Sequence, residues 1–380
     1  MKSAAKKLWK ITWRIGVCVL LLAWIFQAIF YDEGRQAWEQ KGPSILEPEQ
    51  PISSRWQDLS RLQRFYIALT YGPPGVLENL RSMETGPLIL SFILMGATIM
   101  SGVIRWQTVL KVHGLEMPLL RTTQISLIAQ FFNSFLLGSI GGDVLKAYYV
   151  ARETHHKKTE AVVTVLVDRI IGMFSLLLFA CIMLPPNWSL VGDIKIRAVI
   201  GLMIAMTAGC ALVMFLFFRG GVSKRFPKAR EYLKRLPKGE VLERSLEAFR
   251  EFGRNRRFWW EIIPVAILGN VIIIFHFISL TWGFRLHVSP TALAEIVPTV
   301  TSISALPITP SGLGVRENLY VLMLSAPSVN VEASTALLLS LIGYATSLAW
   351  SLIGGLVYIT QRDKQHLQEI EQESETTPAD

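Results

Sequence analysis

The stretch Asn133-Ser-Phe-Leu-Leu-Gly-Ser-Ile-Gly-Gly-Asp143-Val-Leu-Lys146 interrupts an apolar run with three glycines and then adds a carboxylate and an amine. Glycine permits backbone angles that residues with a Cβ avoid, and Asp143 is a good residue to cap the start of a helix. The stretch therefore predicts a helix, a glycine turn and a second helix over residues 144–150. The alternative is an ordinary loop between two helices. At membrane depth, non-helical backbone is tolerated only where protein or a water-filled cavity surrounds it.

A second stretch, Leu306-Pro-Ile-Thr-Pro-Ser-Gly-Leu-Gly-Val-Arg-Glu317, repeats this design. An apolar segment again ends at prolines and glycines, and charged residues again follow on a restarting helix. Broken helical segments at corresponding positions of two halves of a chain indicate a transport site in membrane proteins. We therefore interpret the rest of the chain as the scaffold that holds these two breaks in place.

The composition is that of a membrane protein with many spans. Of 380 residues, 51% are hydrophobic and 18% are charged, and the mean hydropathy is +0.39. Several apolar runs reach the length of about 20 residues that a bilayer requires. The formal charge of +9 is concentrated in loops, where it sets topology, and does not indicate a nucleic-acid partner. The three cysteines lie in apolar runs and indicate packing positions, not a disulfide framework or a metal site.

The charge pattern predicts the path of the chain. Residues 122–153 cannot simply cross the membrane, because the bases that follow, up to Lys158, would then lie outside, against the positive-inside rule. We expect them to enter from the cytoplasm and return as a re-entrant hairpin, and we expect residues 291–326 to form a second one. Lys158 and Lys238 should face the cytoplasm, whereas Glu47 and Asp193 should face outward. Six full crossings are predicted, over residues 11–30, 87–110, 161–184, 196–218, 262–284 and 334–360.

The predicted fold is an all-α polytopic membrane protein with about six transmembrane helices and two re-entrant helical hairpins. The order of span, hairpin and span occurs over 87–184 and again over 262–360, and the two units start from opposite sides. This is an inverted-repeat arrangement, which many transporters share. We expect a multi-pass protein of the cell (inner) membrane with both termini in the cytoplasm.

Four segments divide the chain. Residues 1–30 are an N-terminal transmembrane anchor, and 31–86 form a polar extracytoplasmic segment with helical character, whose Trp38, Trp56 and Tyr66 suit the membrane interface. Residues 87–360 are the transmembrane domain. Its basic cytoplasmic loop, 219–260, carries 13 Lys and Arg against 5 Asp and Glu, which is typical of a helix on anionic lipid or of a solvated linker. The acidic tail 361–380 is predicted to be disordered.

Three motifs together resemble a known family. Asn133 with Gly141-Gly142-Asp143, then Asp168-Arg169-Ile-Ile-Gly172, then the run from Pro310 to Glu317 resemble the lysylphosphatidylglycerol synthase transmembrane, or flippase-like, family, and the pair Arg105-Trp106 fits as well. The resemblance covers about residues 87–360. It implies movement of a phosphate-bearing lipid, either a phospholipid or a polyprenyl-phosphate-linked lipid, between leaflets. Family members with synthase activity also carry a separate soluble domain. We expect no such domain after the region of resemblance in this sequence.

Charges inside the membrane are costly and mark functional sites. Lys146, Arg169 and Arg316 suit a lipid phosphate, and the glycine turns lead into helix N-termini that attract anions. Asp143 and Glu317 suit these bases or a cationic headgroup; the alternative is that the carboxylates only cap helices and form structural ion pairs. Glu295 is a further buried-charge candidate. The predicted substrate-binding residues are Asn133, Gly141, Gly142, Asp143, Lys146, Asp168, Arg169, Pro310, Gly312, Gly314, Arg316 and Glu317.

No motif for a nucleotide, a hydrolase nucleophile or a metal is present in the sequence, and we predict no catalytic residue, metal or cofactor. The main alternative to transport is a membrane enzyme, or an accessory subunit, that acts on polyprenyl-phosphate-linked sugars or aminoacylated phospholipid. A scaffold that recruits a partner through 219–260 is a third hypothesis. Protein partners that fit are a second copy of the chain or a partner enzyme.

Overall fold

The computed structural model describes residues 59–81, 83–135, 141–153, 158–218 and 239–360, together with seven scattered residues between 30 and 56. The predicted anchor (apart from Phe30), residues 136–140 of the first break, residues 219–238 of the basic loop and the acidic tail lie outside the described residues. The regular structure of the described residues is helical. The α-helices are α1 (Arg61–Arg81), α2 (Thr85–Val112), α3 (Leu119–Phe135), α4 (Gly141–Glu153), α5 (Lys158–Met183), α6 (Ile194–Phe218), α7 (Gly239–Arg254), α8 (Arg256–Gly283), α9 (Pro290–Ser304), α10 (Val315–Leu324) and α11 (Ala333–Thr360).

Five of these helices, α2, α5, α6, α8 and α11, are long and apolar enough to cross a membrane. They coincide with five of the six predicted crossings, and the sixth, at 11–30, lies outside the described residues. Their outward faces carry exposed large apolar side chains, such as Ile93 on α2 and Phe215 on α6. Such faces suit contact with lipid. The five long apolar helices therefore indicate a multi-pass membrane protein.

The two breaks each separate a pair of short helices. Helix α3 ends at Phe135 and α4 begins at Gly141, and the two helices pack against each other. Helix α9 ends at Ser304 and α10 begins at Val315. The chain between them contains a short 3₁₀ turn, and its Ser311, Gly312 and Gly314 have φ angles of +52°, +71° and +82°. The predicted order of helix, break and helix is therefore present at the second place, and at the first place the two predicted helices flank residues 136–140.

Two details of the first break differ from the prediction. Helix α4 begins at Gly141, so Asp143 lies in its first turn and does not precede it as a cap. Gly142 is helical, and its reason for being glycine is close approach: a Cβ there would lie 2.0 Å from the carbonyl oxygen of Ala129 on α3. Steric contact between the two helices, and not an unusual backbone angle, is what requires glycine at this position.

Helices that flank the two breaks pack against helices of the other unit, and we call this arrangement the exchanged packing. Helix α3 of the first unit packs on α11 of the second, and α9 of the second packs on α5 of the first. The first spans of both units, α2 and α8, form the most extensive contact between any two helices described. The packing of α4 on α5 in the first unit has its counterpart in the packing of α10 on α11 in the second. The two units therefore hold each other together through equivalent helices.

Two peripheral regions differ from the simplest reading of the sequence. Trp38 and Trp56 are buried in a small core with Leu59 and Ile67, so their expected place at the membrane interface is wrong, whereas Tyr66 is exposed. Helix α7 is amphipathic. Its Phe249 and Phe252 are buried, and α7 packs against α5 and α6. Because these apolar side chains are buried, contact with anionic lipid would involve the basic side chains of residues 219–260. This contact remains a prediction.

A glycine on α11 tests the exchanged packing. A Cβ at Gly354 would lie 2.0 Å from the carbonyl oxygen of Leu127 on α3. We expect Gly354→Leu to separate α3 from α11 and to lower stability by roughly 1–3 kcal/mol or more, as overpacking does. The melting temperature of the purified protein in detergent measures this. Gly209→Leu is the control, because Gly209 is exposed on α6 with nothing within 4 Å of its Cβ position. Equal melting temperatures for the two variants would contradict the packing of α3 on α11.

Candidate functional site

A cavity of about 400 Å³ lies where the two units meet. Both units contribute to its wall, from α3 and α5 of the first and from α8, α9 and α11 of the second, together with the second break. Its volume is within the range of roughly 300–1,000 Å³ that small-molecule sites occupy. Polar side chains that border it include Gln130, Asn133, Ser134, Arg169, Ser311 and Arg316.

The second break closes against the end of α3. The hydroxyl of Ser311 donates to the carbonyl oxygens of Asn133, at 3.2 Å, and Ser134, at 3.3 Å. These carbonyls belong to the last turn of α3, where an α-helix leaves its carbonyls without intrahelical partners. The positive φ of Ser311 is a conformation that residues with a Cβ seldom adopt, and it places this hydroxyl at the α3 terminus. The second break therefore contacts directly the helix end that leads into the first break.

Helix α10 begins with a reciprocal arrangement of charge and backbone. The carboxylate of Glu317 accepts from the Gly314 amide at 2.6 Å and from the guanidinium of Arg316 at 2.5 and 3.1 Å. Glu317 is fully buried, while the Arg316 side chain is 14% exposed and borders the cavity. The Arg316 guanidinium also lies 4.0 Å from the ring centroid of Tyr344 on α11. Arg316 is thus held between a carboxylate and an aromatic face.

The first break has its own fixed pair. The Gly142 amide at the start of α4 donates to the Asn133 side chain at 2.8 Å. Asp143, one residue later, forms an ion pair with Arg169 on α5, and Arg169 borders the cavity. Asn133 and Asp143 thereby connect the start of α4 to both the end of α3 and the middle of α5.

A second layer of charge lies beside Arg169. Arg105 on α2 and Asp168 on α5 form an ion pair at 2.7 Å. Gly172, one turn after Asp168, makes room for this pair, because a Cβ there would lie 2.7 Å from the Arg105 guanidinium. The Lys146 ammonium lies 4.6 Å from the ring centroid of Trp106. Asp168 and Gly172 therefore hold Arg105, while Arg169 between them pairs with Asp143.

The structure divides the predicted substrate-binding residues into two groups. Asn133, Arg169 and Arg316 border the cavity. The others lie outside the cavity wall, where most of them shape the breaks or pair with Arg169 or Arg316, and Glu295 is fully buried on α9. In this second group, Gly141 begins α4 and Pro310 begins the 3₁₀ turn. At Gly312, a Cβ would lie 2.6 Å from the Ser304 carbonyl oxygen. The remaining members are Gly142, Asp143, Lys146, Asp168, Gly314 and Glu317.

The sequence interpretation missed several polar residues of the cavity wall. Gln130 donates to Ser347 on α11 at 3.3 Å, and Ser351 donates to the carbonyl oxygen of Gln130 at 3.0 Å. Tyr344 covers Arg316. The available signal was the spacing of Ser340, Tyr344, Ser347 and Ser351 in one apolar run, since intervals of three and four residues place these side chains on one face of a helix.

Comparisons with known proteins agree with this architecture. A family model described as the lysylphosphatidylglycerol synthase transmembrane region matches residues 64–355. The match starts inside the polar segment 31–86, before the start of the resemblance read from the motifs. The chain is also 25% identical over 301 residues to a UPF0104 membrane protein of Methanocaldococcus jannaschii, covering 74% of this chain and 88% of that protein.

The buried carboxylate of Glu317 tests the site's internal pairing. Glu317→Ala leaves Arg316 without this carboxylate and the Gly314 amide without its acceptor, and breaking a buried pair costs about 3–5 kcal/mol. Glu317→Gln keeps an acceptor oxygen, so we expect a smaller loss of about 1–3 kcal/mol. Melting temperatures in detergent should fall in the order wild type, Gln variant, Ala variant.

A matched control is Glu261→Ala, which removes a carboxylate from an exposed pair with Arg257. Surface pairs contribute about 0–1 kcal/mol, so this variant should melt close to wild type. If Glu317→Ala melted together with Glu261→Ala, the pairing at α10 would be structurally unimportant.

Proposed function

Because the chain belongs to the lysylphosphatidylglycerol synthase transmembrane family, we propose that it moves a phosphate-bearing lipid between the leaflets of the membrane. The observation that carries this proposal is the cavity at which the two helix breaks meet, bordered by Arg169 from the first unit and Arg316 from the second. Paired breaks around a polar site at the junction of two units are the arrangement expected of a transporter.

The two arginines suit a lipid phosphate. A guanidinium has five N–H donors in a planar fork, which matches the oxygens of a phosphate and stays charged at all ordinary pH values. The Nη1 group of Arg316 takes part in neither of its bonds to Glu317. Arg316 can therefore keep its structural pair and still donate to a phosphodiester in the cavity.

The lengths of the short helices support re-entrant hairpins. Helices α3, α4, α9 and α10 have 17, 13, 15 and 10 residues, which at 1.5 Å per residue gives about 25, 20, 22 and 15 Å. The hydrocarbon core is about 30 Å thick, so each helix alone is too short to cross it upright. In our proposal each pair enters the membrane and returns to the same side, and the two pairs enter from opposite sides.

The cavity wall favours transport over the alternative of a membrane enzyme. Among the described residues that border it, the charged ones are Arg169 and Arg316, and none is a carboxylate, histidine or cysteine. The serine, threonine and tyrosine hydroxyls of the wall would need an adjacent general base, such as a carboxylate or a histidine, to act as nucleophiles on a lipid-linked sugar. The described wall can bind and orient an anion, and binding without reaction is what a transporter requires.

The proposed topology makes a direct prediction. We expect a cysteine at Lys158, after the first hairpin, to be protected from an impermeant thiol reagent in sealed cells. A cysteine at Asp193, between α5 and α6, should react. Permeabilised cells provide the control for Lys158→Cys, which should then react as well. Reaction of Lys158→Cys in sealed cells would show that α3 and α4 together cross the membrane and do not return.

Arg316 tests the site itself. We expect Arg316→Ala to lower lipid movement at least tenfold per folded molecule in reconstituted vesicles. Arg316→Lys should recover only part of the rate, because an ammonium lacks the bidentate fork. The measurement is the appearance of a tail-labelled phospholipid in the opposite leaflet, normalised to monodisperse protein.

Arg257→Ala is the matched control, because Arg257 is 88% exposed and its partner Glu261 is a surface residue. It should leave the rate unchanged. If Arg316→Ala only reduced the yield of folded protein, with a normal rate per molecule, Arg316 would be structural and the phosphate site would have to be elsewhere.

A further inference from the structure

The polar groups of the cavity are of a particular kind. Of its 17 bordering residues, ten carry a hydroxyl or an amide side chain. Seven of the hydroxyl groups come from the second unit, on Thr301, Ser304, Ser311, Tyr320, Ser340, Tyr344 and Ser347. Hydroxyls and amides both donate and accept hydrogen bonds, so together they match a ligand that does the same.

Two of these hydroxyls are buried without a hydrogen-bond partner among the described residues. They are the side chains of Ser340, which is fully buried on α11, and Ser304 at the end of α9. Leaving a buried hydroxyl unpaired costs about 1–3 kcal/mol, so such groups in a cavity wall indicate a polar ligand.

The carboxylates near the cavity are already engaged. Asp143 pairs with Arg169, and Glu317 pairs with Arg316 and the Gly314 amide. Asp168 pairs with Arg105. An ammonium group in the cavity would meet two guanidinium groups and none of these carboxylates on the described wall, and like charges at short range repel.

We infer that the site takes a lipid whose phosphodiester carries a neutral, polyhydroxylated group, such as a sugar or another polyol, and that it disfavours headgroups with an amine. This inference rests on the proposed function and specifies its substrate class. The phosphate binds between Arg169 and Arg316, and the hydroxyls of the headgroup bond with the serine and amide side chains of the wall.

The test compares three tail-labelled phospholipids with the same acyl chains in vesicles that contain the full chain. Phosphatidylinositol offers a phosphodiester with a polyol, phosphatidylmethanol has the same charge without hydroxyls, and phosphatidylethanolamine has an amine. We expect phosphatidylinositol to move at least tenfold faster than phosphatidylmethanol, and phosphatidylethanolamine to be slowest. A second series repeats the comparison with a polyprenyl tail. It compares the rate for polyprenyl-phosphoryl glucose with the rate for polyprenyl methyl phosphate.

Ser340→Ala separates ligand binding from folding. Removing an unpartnered buried hydroxyl should leave the melting temperature unchanged or raise it. The same variant should slow phosphatidylinositol about 3- to 10-fold and leave phosphatidylmethanol unchanged, which is the effect of one hydrogen bond. The matched control is Ser91→Ala, which removes an equally buried, unpartnered hydroxyl on α2 that does not border the cavity. It should change neither rate.

The outcomes are distinguishable. Preference for the hydroxylated lipid in either tail series, reduced by Ser340→Ala, supports the inference. Equal rates for all headgroups in both series, still reduced by Arg316→Ala, would overturn the inference and leave the proposed function in place. If none of these lipids moved, both would be overturned.

Discussion

The backbone groups that the two breaks free must find hydrogen-bond partners inside the protein, and the rest of the architecture follows from how they do so. The carbonyls at the end of α3 accept from Ser311 of the other unit. The Gly142 amide donates to Asn133, and the Gly314 amide donates to Glu317. Lipid tails cannot offer such partners, so each break depends on the protein around it and the first depends directly on the second.

This dependence explains why the units exchange helices. If each pair of short helices packed only within its own unit, the end of α3 and the second break would lie apart. Packing α3 on α11 and α9 on α5 brings both breaks to one junction and leaves a cavity there. Glycines allow this close approach, since a Cβ at Gly142 would lie 2.0 Å from the Ala129 carbonyl oxygen and one at Gly354 would lie 2.0 Å from that of Leu127.

The sequence predicted the long spans and the two helix pairs because apolar length and glycine or proline breaks are local signals. It also indicated Arg169 and Arg316, since charge within an apolar run is conspicuous. It assigned Asp143 either as a helix cap or as a partner of the nearby bases, and in the structure Asp143 pairs with Arg169, 26 residues away. It did not find Tyr344, Gln130 or Ser340, because the spacing of Ser340 and Tyr344 places them on one helix face but does not show that this face borders a cavity. Contacts between distant helices decide that, and no local pattern encodes them.

The pairing of both cavity arginines with carboxylates has a consequence for transport. A transporter must bind its substrate and then release it, so a site that holds a phosphate too tightly stops after one event. Two unpaired guanidinium groups in a cavity of low dielectric would attract an anion strongly. Asp143 and Glu317 reduce that attraction while they hold each guanidinium in place. In the proposed function, the remaining selectivity then comes from uncharged groups, which form bonds strong enough to discriminate between headgroups and weak enough to break in each cycle.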